Sequence, residues 1–251
     1  MISSQYLDAL TTACTIEELW AMHTRRMADY GFDRLLYGFT RHRSGRSLGD
    51  PDDFVILTNH PDSYTEGYIN SGLFKNAPMT KWALDNEGAR SWRVIADRIA
   101  NDTLSDTEKE VIAFNLTHKV HAGYSISFRS VSPRSKGAIA LTARADLIQD
   151  DVDAIWAEHG TDITVLNNIV HLKIMTLPHF SPSRVLTKRQ REVLEWVGDG
   201  KTTQDIATLL GLTSATVEKH LRLARDALNV ETTAQAVMKA AFQNQMFVVE
   251  P

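Results

Sequence analysis

Four charged residues recur on one side of a helical pattern near the C-terminus: Glu218, Lys219, Arg222 and Arg225 in "TSATVEKHLRLARDAL". Arginine and lysine donors match guanine O6 and N7, and a glutamate accepts from cytosine N4, so this set can read base edges in a major groove. Lys201, Thr202 and Thr216 fall at predicted helix starts, where an ammonium, hydroxyls and backbone N–H groups suit phosphate oxygens. Elsewhere the reactive residue types are dispersed. The nine histidines are scattered, His118 and His121 form an isolated pair, and no H-E-x-x-H, C-x-x-C, G-x-S-x-G or Gly-rich phosphate loop occurs. No catalytic residue, metal site or cofactor is therefore expected, and the chain is read as a non-enzyme. Cys14 is the single cysteine, which excludes a disulfide framework and fits a reducing cytoplasm.

The elements that would carry the charged set are four short helices. "LTKRQREVLEWVGDG" predicts a helix capped by Thr187, with Val193, Leu194 and Val197 inward and Gly200 as its stop. "TTQDIATLLG" predicts a second, capped by Thr202 or Thr203 and ended by Gly211, with Ile206, Ala207 and Leu210 inward. A third starts at Thr213 or Ser214 and buries Val217, Leu221, Ala224 and Leu228, spaced 4, 3 and 4. A fourth runs from about Thr232 to Gln245. In a helix-turn-helix the first helix crosses the DNA backbone and the second enters the groove, which accounts for two stubby helices joined by one glycine. Bulk charge does not decide the matter. Residues 184–251 hold 9 Lys+Arg against 8 Asp+Glu, a net of +1, while residues 1–183 hold 18 against 23, a net of −5. Binding to a polyanion must come from local arrangement.

Leu186, Thr187, Arg189, Val193, Leu194, Trp196, Gly200, Lys201, Ile206, Ala207, Thr216, Val217, His220, Leu228 and Val230 stand in the register of the LuxR/NarL-type C-terminal domain, which this tail resembles over about 60 residues. It departs at Gln190, where that family usually has Glu, and at Ala227, where it usually has Lys.

Ahead of the tail, "LPHFSPSR" (177–184) has two prolines and no periodicity and reads as a linker. Upstream, Thr15-Ile-Glu-Glu18 and Ser105-Asp-Thr-Glu108 have capping-box form and open helices, the second reaching about His121. "DRLLYGFT", "DDFVILTN", "GYSISFRSV" (123–131) and "GAIALTAR" (137–144) read as strands of one antiparallel sheet. Residues 63–72 predict a helix, 73–105 mostly loop with short helical pieces, and 151–175 a long helix with an apolar stripe through Val152, Ile155, Trp156, Ile163, Leu166, Ile169 and Val170. Asp52-Asp53 precede a strand rather than follow one, which argues against a phospho-receiver. No apolar run spans a membrane and the N-terminus lacks a signal-peptide pattern.

This front part resembles the autoinducer-binding domain of LuxR-type quorum-sensing regulators. "GFDRLLYGF" is similar to the first strand of that family, and its pocket signature falls on Tyr64, Tyr68, Ala77-Pro78, Trp92 and Gly123. Two positions depart: Tyr64 stands for the family Trp and Ala77 for the Asp that accepts the ligand amide N–H. The resemblance implies an N-acyl-homoserine lactone contacted by His60, Tyr64, Tyr68, Ala77, Trp92 and Ser125, with Asn76, Thr80 or Ser125 as substitute acceptors. The whole chain is thus read as an α+β N-terminal α-β-α sandwich with an antiparallel sheet (1–176), a linker (177–184) and an all-α four-helix helix-turn-helix domain (185–251). The function implied is a ligand-responsive, cytoplasmic transcriptional regulator that binds double-stranded DNA at a roughly palindromic operator as a homodimer. The candidate dimer faces are the long helix and Ala236, Val237, Ala240 and Met246 of the last one. The alternative is an orphan regulator of the same type that senses a non-lactone molecule or none.

Overall fold

In the computed structural model the structure describes residues 3–45, 47–130, 132–179 and 184–247. The chain divides into two compact units, one holding residues 1–50 and 54–175 and the other residues 51–53 and 176–251. Residues 180–183 of the expected linker and Val131 of an expected strand lie outside the described residues.

The first unit is built on a five-stranded antiparallel sheet of order β2-β1-β5-β4-β3. Its strands are β1 (Arg34–Thr40), β2 (Val55–Thr58), β3 (Gly88–Ser91), β4 (Gly123–Ser127) and β5 (Lys136–Thr142). Pairing of β1 with β5 joins the early and late hairpins. Helices α1 (Ser4–Thr12), α2 (Ile16–Asp29) and α7 (Gln149–Ile174) contribute to one layer. There Tyr37 and Phe128 of the sheet side meet His171 of α7: Tyr37 Oη lies 2.8 Å from His171 Nδ1, and the Phe128 and His171 rings stack at 4.1 Å. The second layer comprises α3 (Asp62–Thr65), which widens into a π-helical turn over Glu66–Asn70, then α4 (Pro78–Asp85), α5 (Arg93–Ala100) and α6 (Asp106–Thr117).

The local signals act where expected. Thr15 accepts the Glu18 N–H, although the Glu18 carboxylate takes the Cys14 N–H rather than that of Thr15. Ser105 and Glu108 close a complete capping box. Ile16, Leu19, His23 and Met27 form the buried stripe of α2. The stretch 73–105 is more ordered than its polar clusters predict. It contains α4, the edge strand β3 and α5, and β3 exists only because "GARS" finds β4 across the sheet, a non-local pairing that propensity does not encode. The expected helix 63–72 is α3 plus the π turn.

The second unit holds α8 (Lys188–Gly198), α9 (Thr203–Leu210), α10 (Ser214–Leu228) and α11 (Thr233–Phe242). Thr187, Thr202, Thr213 and Thr232 cap them, each hydroxyl accepting a backbone N–H three residues on. Gly211 stops α9 in the left-handed region at φ +63°, where an L side chain is strained, and Leu212 N–H returns to the Ala207 carbonyl. Three residues later α10 is under way. Val193, Leu194, Ile206, Val217, Leu221, Ala224 and Leu228 close the core.

Two expectations for this unit change. Ala236, Ala240 and Met246 are part of that core, and Val237 packs against it, so they are not a free dimer face; the outward apolar residues of α11 are Met238 and Phe242. Arg225 is half-buried and donates to Thr233 Oγ1 at 2.9 Å, which ties α10 to α11 rather than facing outward.

Candidate ligand-binding and DNA-binding sites

The sheet face under α3–α6 is floored by small residues. Along β5 the residues Ala138, Ala140 and Thr142 share one face, and their cross-strand partners are Gly38, Leu36 and Arg34 of β1 and Ser127, Ser125 and Gly123 of β4. The opposite face carries Ile126, Ile139 and Leu141, all fully buried. Small side chains beneath and a helical roof above leave a cavity of about 290 Å³. His60, Tyr64, Tyr68, Ala77, Pro78, Trp92 and Ser125 all line it. Seven sequence positions spread over 66 residues therefore meet at one void, together with Thr80; Asn76 does not line it.

The aromatic wall is a ladder. His60 stacks on Tyr64 at 4.3 Å, and Tyr64 on Tyr68 at 5.0 Å, with interplanar angles of 21° and 20°. Tyr64 and Tyr68 are four residues apart on one helical face, and Gly67 leaves room for the ring behind them: a Cβ there would come within 2.6 Å of the Phe114 ring that backs the ladder. Burial pushes the Tyr64 phenol up, and holds that of Tyr68 up at about 12, so both stay protonated. Burial, with Arg34 and His118 adding, lowers His60 to about 3 and keeps its imidazole neutral.

Most polar atoms at the wall already have partners. Tyr64 Oη donates to Asn115 Oδ1 at 3.0 Å, so its proton is committed within the protein. Trp92 Nε1 donates to Ser125 Oγ at 2.9 Å, which leaves the Ser125 hydroxyl proton free to donate. His60 Nε2 is 3.4 Å from Thr142 Oγ1. Gly123 is required by this packing, because a Cβ there would collide with the Leu141 carbonyl oxygen and lie 2.9 Å from the Trp92 ring. Ala77 is 3 % exposed and caps α4 without any side-chain bond, and Pro78 follows at the first helical position. No Asp or Glu lines the cavity. Sequence reading did not find Asn115, Thr142 or Gly38; a lone Asn on an apolar helix face was the one available signal.

The roof is tied by one buried carboxylate. Burial alone would raise Glu108, but Arg98, the Ser105 N–H and Lys81 outweigh it and hold it down at about 2. Arg98 Nη2 lies at 2.8 Å and Lys81 Nζ at 3.3 Å, so α4, α5 and α6 share this anchor. Arg93 pairs with Asp153 at 2.7 Å and with Asp150.

In the second unit, Glu218, Lys219 and Arg222 lie on the exposed side of α10. Glu218 accepts from Thr203 Oγ1 at 2.9 Å, and Arg222 pairs with Asp226 at 3.0 Å, an exposed contact that exchanges readily. Lys201 is exposed after Gly200, which turns at φ +80°. Thr202 and Thr216 are less free than expected: the Thr202 hydroxyl donates to Asp205 at 2.7 Å, and Thr216 Oγ1 sits 2.9 Å from Thr213 Oγ1. Among the described residues no group of three or more His, Cys, Asp or Glu could hold a metal, and no helix is long and apolar enough to cross a membrane.

A sheet-floored cavity joined in one chain to a capped four-helix unit defines a class. Residues 15–174 match the autoinducer binding domain, and residues 184–240 match the luxR family of bacterial regulatory proteins. The chain belongs to this family of LuxR-type, autoinducer-binding transcriptional regulators. It is 25 % identical over 238 residues to the transcriptional activator protein AnoR of Acinetobacter nosocomialis, covering 93 % of this chain and 94 % of AnoR. It is 26 % identical over 192 residues to the transcriptional activator protein LuxR of Aliivibrio fischeri, covering 75 % and 73 %. The fold is similar to that of Escherichia coli SdiA (TM-score 0.53, 19 % identity, 97 % of each chain). It is also similar to that of CepR2 from Burkholderia cenocepacia, described as an N-acylhomoserine lactone dependent factor (TM-score 0.52, 20 % identity, 68 % of this chain and 92 % of that one).

Proposed function

We propose that the cavity of the first unit binds an N-acyl-homoserine lactone, with His60, Tyr64, Tyr68, Ala77, Trp92 and Ser125 at the polar end. Occupancy then controls use of the second unit. The observation that carries this reading is the convergence of those six positions on one apolar cavity, with the Ser125 hydroxyl proton free to donate into it. The ligand acts by linkage: it stabilises the state it binds by its differential affinity and no more. Domain limits of 1–176 and 185–251 follow, with Lys201, Thr202, Thr216, Glu218, Lys219 and Arg222 toward DNA. Two α10 helices entering successive major grooves require a homodimer on a roughly palindromic site, with half-sites about 10 bp apart. The chain acts in the cytoplasm and performs no catalysis.

Thermal-shift measurement against lactones of graded acyl length tests this. A ligand at a hundred times its Kd stabilises by about 2.7 kcal/mol. No shift with any lactone rejects the lactone reading.

One observation favours a second reading. With no carboxylate at the cavity wall and Ala77 at the amide position, an amide N–H would be buried at a cost of about 1–3 kcal/mol unless Thr80 or Ser125 accepts it. A ligand without that N–H avoids the cost, and mass analysis of small molecules co-purifying with the protein identifies it. Ala77→Asp is expected to tighten lactone binding about tenfold or more; weaker binding, read by calorimetry, places the amide elsewhere.

A further inference from the structure

Gly38 stands mid-way along β1, paired with Ile56 on one side and Ala138 on the other. A glycine inside a central strand weakens it and needs a reason. Its φ is not in the left-handed region, so no turn or bulge demands it. Close packing does not demand it either: a Cβ built there meets nothing within 4 Å. Gly137, its neighbour in the same sheet, behaves oppositely, since a Cβ there would lie 2.8 Å from His171. Gly38 lines the cavity, so its missing side chain is cavity volume.

Its place along the floor gives that volume a use. β1 and β5 pair Arg34 with Thr142 at one end and Thr40 with Lys136 at the other, which sets the floor at roughly 20 Å for about 3.4 Å per residue. His60 and Thr142 mark the first end. Leu48, Phe54, Ala83 and Leu84 line the cavity as well, with Thr40 and Lys136 at the second end. The Gly38–Ala138 pair lies between the two ends. We propose that Gly38 is a specificity-determining residue: its missing side chain leaves room over the middle of the floor, and so sets the length of the ligand tail the protein accepts. This rests on the cavity being the ligand site. A side chain at 38 takes up that room and disfavours molecules that reach past it.

The test uses the full chain and two variants, Gly38→Val and Gly38→Ala. Valine favours the strand, and alanine keeps the test open should valine fail to fold. Ligand-free melting temperature is measured first, then affinity for butanoyl- to dodecanoyl-homoserine lactones and, as a headgroup-free series, methyl hexanoate to methyl dodecanoate. Both variants are expected to melt at or above the wild-type temperature. Dodecanoyl affinity falls about tenfold or more in Gly38→Val and less in Gly38→Ala, while butanoyl affinity holds. A lower ligand-free melting temperature in both variants, or equal change at every length, overturns the assignment. If esters bind the wild type and lactones do not, the lactone reading fails and Gly38 is judged on the esters. If neither series binds, both fail.

Discussion

The two units treat apolar volume in opposite ways. The tail buries Val193, Leu194, Val217, Ala224 and Leu228 to zero exposure against one another. The front spends the middle of its best-paired sheet on Gly38, Ala138, Ala140 and Ser125, and leaves space above them. A filled core holds a recognition helix at a fixed angle; an unfilled one makes stability depend on what enters. The difference teaches where to look for each function: for the DNA-reading unit in what lies outside a closed core, and for the sensing unit in what the core omits.

The sharpest break is to give the tail a void of its own. Leu194→Ala is expected to cost about 2–5 kcal/mol and to abolish DNA binding near 37 °C, as read by melting and gel shift. Acid separates the units next. Burial lowers His23 and His171 to about 4, and burial with neighbouring charge lowers His60 to about 3, from 6.5. Below pH 6.5 the unfolded chain binds protons that the folded front does not, so stability falls as pH drops toward 4. Each of the two histidines near 4 contributes a loss on the order of 3 kcal/mol by then. Melting curves from pH 7 to 4.5 check this, and His60→Phe should flatten part of the slope. Glu108→Ala comes third. It strands Arg98 and Lys81, and because both remain part-exposed the loss is about 2 kcal/mol rather than that of a fully buried pair. Urea titration measures it. Smallest are the changes on α10. Arg222→Ala should relax base preference by about 1–3 kcal/mol, and Lys219→Ala should reduce the salt slope of binding by about one with little change in preference. Equal loss on specific and random DNA would make Arg222 a phosphate contact only.

The tail was nearly all legible from its sequence, because its signals are local. Thr187, Thr202 and Thr213 act within three residues, and Gly211 within one. What failed there was non-local: Arg225 finds Thr233, and Ala236 and Ala240 find the core. In the front, the two hairpins and the capped helices could be read, but β3 could not, since its partner β4 lies far along the chain, with Gly88 paired to Ser127 and Ser91 to Tyr124. The cavity-lining set came from resemblance rather than spacing. Nothing within a few residues of Tyr64 announces Asn115, and nothing near Gly38 announces an opening. A void is a property of register across three strands, and no single segment encodes register.

The π turn at Glu66–Asn70 holds one residue more per turn than an ordinary helix would, and Tyr68 within it stacks on Tyr64 and lines the cavity. Such a turn takes up a single additional residue locally, so dropping one there would restore ordinary winding within the turn itself. The width of that one turn, a matter of residue number rather than residue type, thus helps shape the cavity wall.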